Sequence, residues 1–379
     1  MTVRVNKQAF NIRERLSELE RPIGLKGSEL MRSETVQDAR DLVSAGRKNL
    51  IINGAMQVAQ RVAYPNTQPG ASYSNYYTVD RWRFNVVDTH FGTWTFSQSN
   101  TVPAGKGFGY SWKWDCTTAD TSLDAGHYGI AEYKIEAQDL QHLGYGTSSA
   151  KPITISFWVK TNKTGTYVFS IYSEDGNRYV SKTYTVDVAN SWEYKTITIE
   201  GDASGTINND NGDGFRLWWW LGSGSSYTSG TMKPGIWRPW SESNGAAPGL
   251  SVNMADSTAN EWFITGVQLE VGKNATEFEH RSYGEELALC QRYYQHPPGT
   301  YSFIWSGDIT TGNSYYLRQT LPVTMRTNPV FTIRNGASSG FGGLTIAAAN
   351  HTHFTVYAAT SSTQARGYFE GNYTASAEL

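Results

Sequence analysis

The sequence predicts a mainly β protein with a short N-terminal α-helical stem, an antiparallel jelly-roll β-sandwich, a short linking helix and a second, C-terminal β-sandwich. Charged residues are only 17% of the 379-residue chain, whereas aromatic residues reach 13%, a balance that favours strands. From residue 48 onward, short runs of alternating apolar and polar residues are separated by Gly, Asn, Asp and Ser. Such runs, without a helical period between them, indicate antiparallel sheets.

Residues 1–47 differ from the rest, because they contain neither Trp nor Tyr and carry a dense mixture of both charges. Their apolar residues recur at helical spacings and predict two amphipathic helices. The residues of these two stripes are Ile12, Leu16, Leu19, Val36 and Val43. Neither stripe can be buried within so short a segment, so we expect it to self-associate or to dock onto a larger body. A flexible leader with nascent helix is the alternative.

Residues 48–279 are predicted to form the jelly roll. The clearest strands are residues 153–159, 167–172, 194–199, 215–220 and 261–269. Several strands at such spacing, with turn residues between them, are typical of an antiparallel sandwich.

A short helix is predicted in residues 280–296, where Glu285 and Glu286 suit a helix N-terminus electrostatically. After it, residues 297–379 are predicted to form the second β-sandwich. From Leu287 to residue 379 there are three acidic residues, five Arg and no Lys. A solitary domain of this size would usually carry more charge to stay soluble. Close packing among copies of the chain explains the shortage.

Several classes of partner and compartment are disfavoured. A net charge of -2 and a pI near 6.4 argue against a nucleic-acid partner, which would require a basic patch. No apolar run approaches the roughly 20 residues of a membrane span, and the first residues lack a signal-peptide core. Cys116 and Cys290 are too few for a disulfide scaffold. We therefore expect two buried thiols, synthesis in a reducing cytoplasm, and no membrane insertion.

Tryptophan is the candidate for binding chemistry, because twelve of the thirteen Trp lie between residues 82 and 262. The face of an indole packs well against the C–H side of a pyranose, while neighbouring polar groups bind its hydroxyls. The candidate carbohydrate-binding residues are Trp112, Trp114, Trp219, Trp237 and Trp240. The alternative is that most of these rings are packed in the core.

Three motifs occur in order along the chain: Asn49-Leu-Ile-Ile-Asn-Gly-Ala-Met-Gln-Val-Ala-Gln-Arg61, Tyr77-Thr-Val-Asp-Arg-Trp-Arg83, and the stretch from Phe263 to Tyr294. The series resembles bacteriophage tail-fibre and receptor-binding proteins that contain a carbohydrate-binding-module-like jelly roll. The resemblance covers roughly residues 49 to 294. Where those modules often have paired acids in the closing strand, this chain has Thr265-Gly266, which removes the basis for carrying over a calcium role.

The resemblance implies a homotrimeric virion fibre protein that attaches to tail or capsid proteins through its N-terminal segment and recognises a host-surface polysaccharide. A virion location, reached by lysis rather than secretion, is expected with it. A structural fibre, decoration or connector protein that binds only other virion proteins is the alternative from a different class.

No enzyme is expected. The chain has no His-Glu-x-x-His and no P-loop, which are common catalytic signatures. A polysaccharide depolymerase is the minor alternative. It would require two carboxylates in one cleft, and the long β-helix period typical of tailspike depolymerases is not seen in the sequence.

No cofactor is expected, although two metal sites are conceivable. His351 and His353 are placed on one side of a strand, and in a trimer they could meet on the three-fold axis and bind a metal. The turn residues from Asp202 to Asp213 resemble a loose calcium loop, because hard cations bind several oxygens. Polar surface and ordinary turns are the alternatives.

Overall fold

The strands of this protein pair antiparallel throughout the part of the chain described by the computed structural model, and they form two β-sandwiches. The structure describes residue 32 and residues 48–61, 66–68, 75–87, 91–240 and 245–379. The predicted helical stripe of Ile12, Leu16, Leu19, Val36 and Val43 lies outside the described residues. The mainly β prediction is confirmed.

The first sandwich consists of two six-stranded sheets. In spatial order, the first sheet contains β1 (Asn66–Gln68), β3 (Thr93–Ser99), β4 (Ser111–Thr118), β12 (Glu261–Val271), β6 (Ile153–Thr161) and β9 (Glu193–Ile199). The second sheet contains β11 (Arg238–Pro239), β8 (Arg178–Val186), β7 (Gly165–Ser173), β10 (Asp213–Ser223), β5 (Tyr128–Glu136) and β2 (Trp82–Val86).

The core of the first sandwich lies between these sheets and is rich in tryptophan. Each strand turns every second side chain inward. Six indoles of this core are at most 1% exposed, those of Trp82, Trp94, Trp112, Trp114, Trp219 and Trp262, and Trp237 joins them at 9%. An aromatic side chain buries about 150–250 Å². At about 25 cal/mol per Å², each ring contributes on the order of 4 kcal/mol to folding.

Three short helices connect the strands in the described residues. A 3-10 helix, Ala137–Leu143, follows β5 and ends at Gly144, whose φ of 64° is left-handed. The helix α1 is Ser225–Thr228. The helix α2 is Tyr283–Gln291, and the hydroxyl of Ser282 accepts a hydrogen bond from the Glu285 backbone N–H at its start. Helix α2 lies inside the predicted linking segment 280–296.

The second sandwich is smaller. One sheet contains β13 (Tyr294–Gln295), β19 (Gln364–Ser376), β14 (Phe303–Ile309) and β16 (Val330–Ser339), with β19 paired to the other three. The other contains β15 (Ser314–Thr320), β18 (His353–Ala359) and β17 (Thr345–Ala349). Their core is separate from the first and is built around Phe303, Met325, Phe354, Phe369 and Tyr373.

A buried group of charges joins the two sandwiches. The carboxylate of Glu378 pairs with Arg61 at 2.8 Å and with Arg81 at 2.5 Å. The guanidinium carbon of Arg81 also lies 3.5 Å from the ring centre of Tyr293, and that of Arg61 lies 3.5 Å from Tyr294. Residues 49–379 form one compact unit with two cores.

Cys116 and Cys290 are both free and buried, as expected. Among the described residues, no helix is long and apolar enough to cross a membrane.

Candidate functional site

The outer face of the second sheet carries an aromatic cluster that is separate from the core. This cluster arises because strand β10 carries apolar residues on both of its faces. Its inward residues are Phe215, Leu217, Trp219 and Leu221. Trp218 and Trp220 point the other way and belong to the outer cluster. We call the rings of Tyr172, Tyr179, Trp218, Trp220 and Trp240 the aromatic face.

Three rings of the aromatic face form a stacked platform. Tyr172 lies flat against Trp218, with ring centres 5.4 Å apart and planes at 5°. Trp240 stands edge-on to both, 5.3 Å from Tyr172 and 5.6 Å from Trp218. Tyr172 and Trp240 are partly exposed, whereas Trp218 is 6% exposed. The solvent-facing part of the platform is therefore made by Tyr172 and Trp240.

A tight turn between β7 and β8 fixes this platform. Tyr172 and Tyr179 are direct cross-strand partners, and Asn177 adopts a φ of 46° in the turn between them. The Tyr172 hydroxyl donates to the Asn177 side-chain oxygen at 2.9 Å, and the Trp240 backbone N–H donates to the Asn177 carbonyl at 2.9 Å. One residue thus positions both exposed rings.

A buried carboxylate orients the third ring. Glu132 is fully buried beneath the aromatic face, where it accepts hydrogen bonds from Trp218 Nε1 at 2.8 Å and Asn85 Nδ2 at 3.1 Å. It also pairs with Arg83. A buried charge is costly unless it is paired and hydrogen-bonded. These three partners satisfy it and hold the indole in one orientation.

Charged groups border the platform at the end near the turn. Arg216 lies 5.6 Å from the ring centre of Tyr172 and pairs with Glu174 at 2.7 Å and Asp213 at 2.8 Å. Burial lowers the pKa of Arg216, but the carboxylates of Asp213 and Glu174 outweigh it, so the pKa is raised. Burial, with a contribution from Glu174, raises the pKa of Tyr172. The guanidinium stays charged and the phenol stays a hydrogen-bond donor.

This arrangement suits a ligand that has an apolar face and polar groups at its edge. Ring faces pack against C–H groups, while the rim supplies the Arg216 guanidinium, the Glu174 carboxylate and the Asn177 amide for directional hydrogen bonds. The rings and rim are held by cross-strand pairs and hydrogen bonds, so a ligand would bind without ordering them first.

The structure corrects the expectation for three of the predicted tryptophans. Trp112, Trp114 and Trp219 are each 0% exposed and belong to the core. Trp112 and Trp114 do share one face of β4, but that face points inward, and their rings are 5.0 Å apart. Trp219 contacts Phe169 at 4.9 Å inside the sandwich. A ligand at the surface cannot reach these rings.

The other two candidates, Trp237 and Trp240, lie on opposite sides of the second sheet. Trp237 points inward, stacks on Phe215 at 6.0 Å and donates from Nε1 to the Glu200 carbonyl at 2.9 Å. Trp240 is on the aromatic face and partly exposed. Only Trp240 among the five candidates is placed where a ligand could touch it.

Tyr172 and Trp218 belong to the platform and were missed by the sequence analysis. The signal was present in β10, where Arg216 shares its side with Trp218 and Trp220, whereas Trp219 shares its side with Phe215, Leu217 and Leu221. A charged residue marks the outer face of a strand that is apolar on both sides.

The predicted metal ligands are dispersed. Strand β18 begins at His353, so His351 lies in the bend before the strand rather than in it. His351 contacts the Asn328 side chain, and His353 contacts Arg318 at 3.2 Å. Asp202 pairs with Arg178, and Asp213 pairs with Lys134 and Arg216. No group of three or more His, Cys, Asp or Glu that could hold a metal occurs in the described part of the chain.

Comparison with known proteins finds only distant likeness. No family model and no curated protein matches the sequence. Solved structures that resemble it include the enzymatically active domain of tailspike protein 4 from bacteriophage CBA120, at 14% identity and a TM-score of 0.29 over 59% of this chain and 21% of that one. The chain thus spans about a fifth of that tailspike domain.

Two further structures are similar at the same level. The family 11 carbohydrate-binding module of a Clostridium thermocellum cellulase is 12% identical, with a TM-score of 0.28 over 57% of this chain and 100% of the module. A sugar-binding protein from Bacteroides thetaiotaomicron, itself assigned that role provisionally, is 11% identical, with a TM-score of 0.30 over 59% of this chain and 100% of that one. Similarity of this size assigns neither family nor function.

Proposed function

We propose that this chain is a glycan-binding subunit of a bacteriophage fibre, with its sugar site on the aromatic face. The observation that carries the proposal is the platform of Tyr172, Trp218 and Trp240, which opens to solvent beside Arg216. Aromatic platforms with convergent polar groups are a common way to bind the apolar face and the hydroxyls of a pyranose. The motif resemblance between residues 49 and 294 supports the assignment to a fibre.

The proposal includes a homotrimer that attaches to the virion through residues 1–47. Apolar side chains on the second sandwich support self-association, because Val330, Ile304 and Tyr316 are 74%, 61% and 59% exposed. Exposed apolar area of this kind marks interaction surfaces. Three weak sugar sites on one rigid body would raise avidity by about 10² or more without a new type of contact.

The test is binding of the full chain to an array of bacterial surface oligosaccharides, with molar mass measured by light scattering on the same sample. We expect saturable binding that competing free glycan displaces. Trp240→Ala and Tyr172→Ala should each weaken binding about fivefold or more, because losing a stacked ring costs about 1–3 kcal/mol, which corresponds to about 5- to 140-fold in affinity. Tyr283→Ala, which removes a 57% exposed ring from the start of α2, is the matched control and should bind normally.

A purely structural role in the virion is the second candidate, and the exposed apolar side chains of the second sandwich favour it equally. The two roles are separated by the array. A trimer that binds no glycan and no host cell would overturn sugar recognition and leave a fibre or connector protein.

A further inference from the structure

The outer face of the first sheet carries a second, smaller aromatic site on the opposite side of the sandwich. In β6, Ile155, Phe157 and Val159 face the core, so Trp158 and Lys160 face outward. Trp158 is partly exposed.

Trp158 is paired with a tyrosine that is open to solvent. Tyr194 is its direct cross-strand partner on β9, and the two ring centres are 5.2 Å apart. Tyr194 is 44% exposed. The pair therefore presents a ring surface about as wide as two neighbouring strands, which lie about 4.8 Å apart.

Two lysines without an acidic partner flank this pair. The ammonium of Lys106 lies 5.5 Å from the ring centre of Trp158. Lys160 follows Trp158 by two residues on the same side of β6, and its ammonium lies 5.3 Å from the ring centre of Phe263. Neither has a carboxylate within ion-pair distance in the part of the chain that the structure describes. By contrast, Lys113 on the same sheet pairs with Glu261 at 2.5 Å.

One part of this face is covered by the chain after β12. The Thr276 hydroxyl donates to Glu270 at 2.6 Å, and the Glu279 backbone N–H donates to Gln268 at 2.8 Å. Glu270 and Gln268 are buried as a result. The part near Trp158 and Tyr194 is open to a ligand.

We infer that Trp158 and Tyr194 form a second glycan-binding site, selective for a sugar residue that carries a carboxylate. The rings pack against the sugar, while Lys106 and Lys160 attract the carboxylate by charge complementarity. The inference rests on the proposed function, because it assumes that the chain binds surface polysaccharide. It adds the chemical class, an acidic glycan, and a second contact on the opposite face of the same sandwich.

The test compares acidic oligosaccharides with neutral forms of the same backbone, using oligogalacturonates and sialylated chains beside their methyl esters. The full chain should bind the acids more tightly. Lys106→Gln combined with Lys160→Gln should lower affinity for the acids about tenfold and leave the esters unchanged. Lys151→Gln with Lys233→Gln removes the same charge from other exposed positions and is the control. The difference in affinity between the acids and the esters should also shrink as the salt concentration rises.

Trp158→Ala should weaken binding of both acids and esters at this site, and a thermal unfolding curve checks that it folds. Equal binding of acids and esters, or wild-type behaviour of the double lysine variant, would overturn the inference. If Trp240→Ala alone removed all binding of acids and esters, the site at Trp158 and Tyr194 would be excluded, but the proposed function would stand. Both the inference and the proposed function would be overturned if the unaltered chain bound neither acidic nor neutral glycans.

Discussion

The two sandwiches of this protein differ in how completely they close. In the first, inward rings such as Trp219 and Trp262 are fully buried, and each outer face carries a small aromatic patch. In the second, the inward residues Tyr315 and Leu317 of β15 stay partly exposed, and Val330 projects into solvent. The first sandwich buries its inward rings within itself. The second leaves apolar area that another molecule would bury.

The largest effect on stability should come from removing one ring from the core of the first sandwich. Trp219→Ala removes a ring packed against Trp82, Phe157 and Phe169, and we expect a loss of about 3–5 kcal/mol in the free energy of unfolding. Urea denaturation measures it. Trp305→Ala, at a half-buried ring of the second sandwich, should cost clearly less. Equal losses would remove the contrast between the two sandwiches.

The joint between the sandwiches should be nearly as sensitive. Glu378→Gln removes the carboxylate charge that pairs with the buried Arg61 and Arg81. Breaking a buried ion pair costs about 3–5 kcal/mol in the free energy of unfolding. Amide exchange in β19 should rise, because this strand leads directly to Glu378. Glu200→Gln removes an exposed pair with Lys273 and is the control, expected at about 0–1 kcal/mol. Unchanged exchange in β19 would show that the joint does not hold the second sandwich.

The pH dependence of the free energy of unfolding gives a third test of the same joint. Burial raises the pKa of Asp80 to about 6, although Arg61 and the Gln60 side chain oppose it. An unfolded Asp titrates near 3.9, so between these values the folded chain binds more protons. The contribution of Asp80 to the free energy of unfolding is therefore fully present below about pH 4 and is lost as the pH rises through about 6.

Asp80→Asn cannot titrate and should remove that loss, a difference of about 2–3 kcal/mol between pH 4 and 7. Denaturant midpoints across this range measure it. Asp124→Asn, at a carboxylate 82% exposed, should keep the wild-type profile. Parallel profiles for Asp80→Asn and wild type would contradict the raised pKa.

The smallest effect on stability is expected at the exposed apolar residues of the second sandwich. Ile304→Ser with Val330→Thr should change the free energy of unfolding of the single chain by about 0.5 kcal/mol or less, but should lower the molar mass found by light scattering. Val188→Thr, at a residue 55% exposed in the first sandwich, should leave the mass unchanged. Unaltered mass in the double variant would show that this apolar surface does not join copies.

Local pattern predicted much of the fold. Alternation in residues 153–159 and 261–269 anticipated β6 and β12, because a strand with one buried face repeats every two residues. Strand β17 was missed, since Thr345-Ile-Ala-Ala-Ala349 has no aromatic residue, and its two β-branched residues are followed by three alanines. Strand β14 was missed because Ser306, Gly307 and Asp308 read as a turn.

The candidate site was harder to predict, because it depends on contacts far apart in sequence. Alternation separates Trp219 from Trp218 and Trp220 but does not by itself say which side faces the core. That choice depends on the facing sheet and on Glu132, which holds the Trp218 indole from 86 residues away. The exposure of Trp240 likewise depends on its contact with Asn177 in another hairpin.

The position of Glu378 in the charge cluster has a consequence for biosynthesis. Arg61 and Arg81 emerge from the ribosome about 300 residues before the Glu378 carboxylate that pairs with both of them in the folded protein. A chain that ends before that residue would leave Arg81 without the carboxylate with which it pairs, and Arg61 with Asp80 alone. Because a buried charge is costly unless it is paired, we expect such a fragment to be less stable than a chain that includes Glu378.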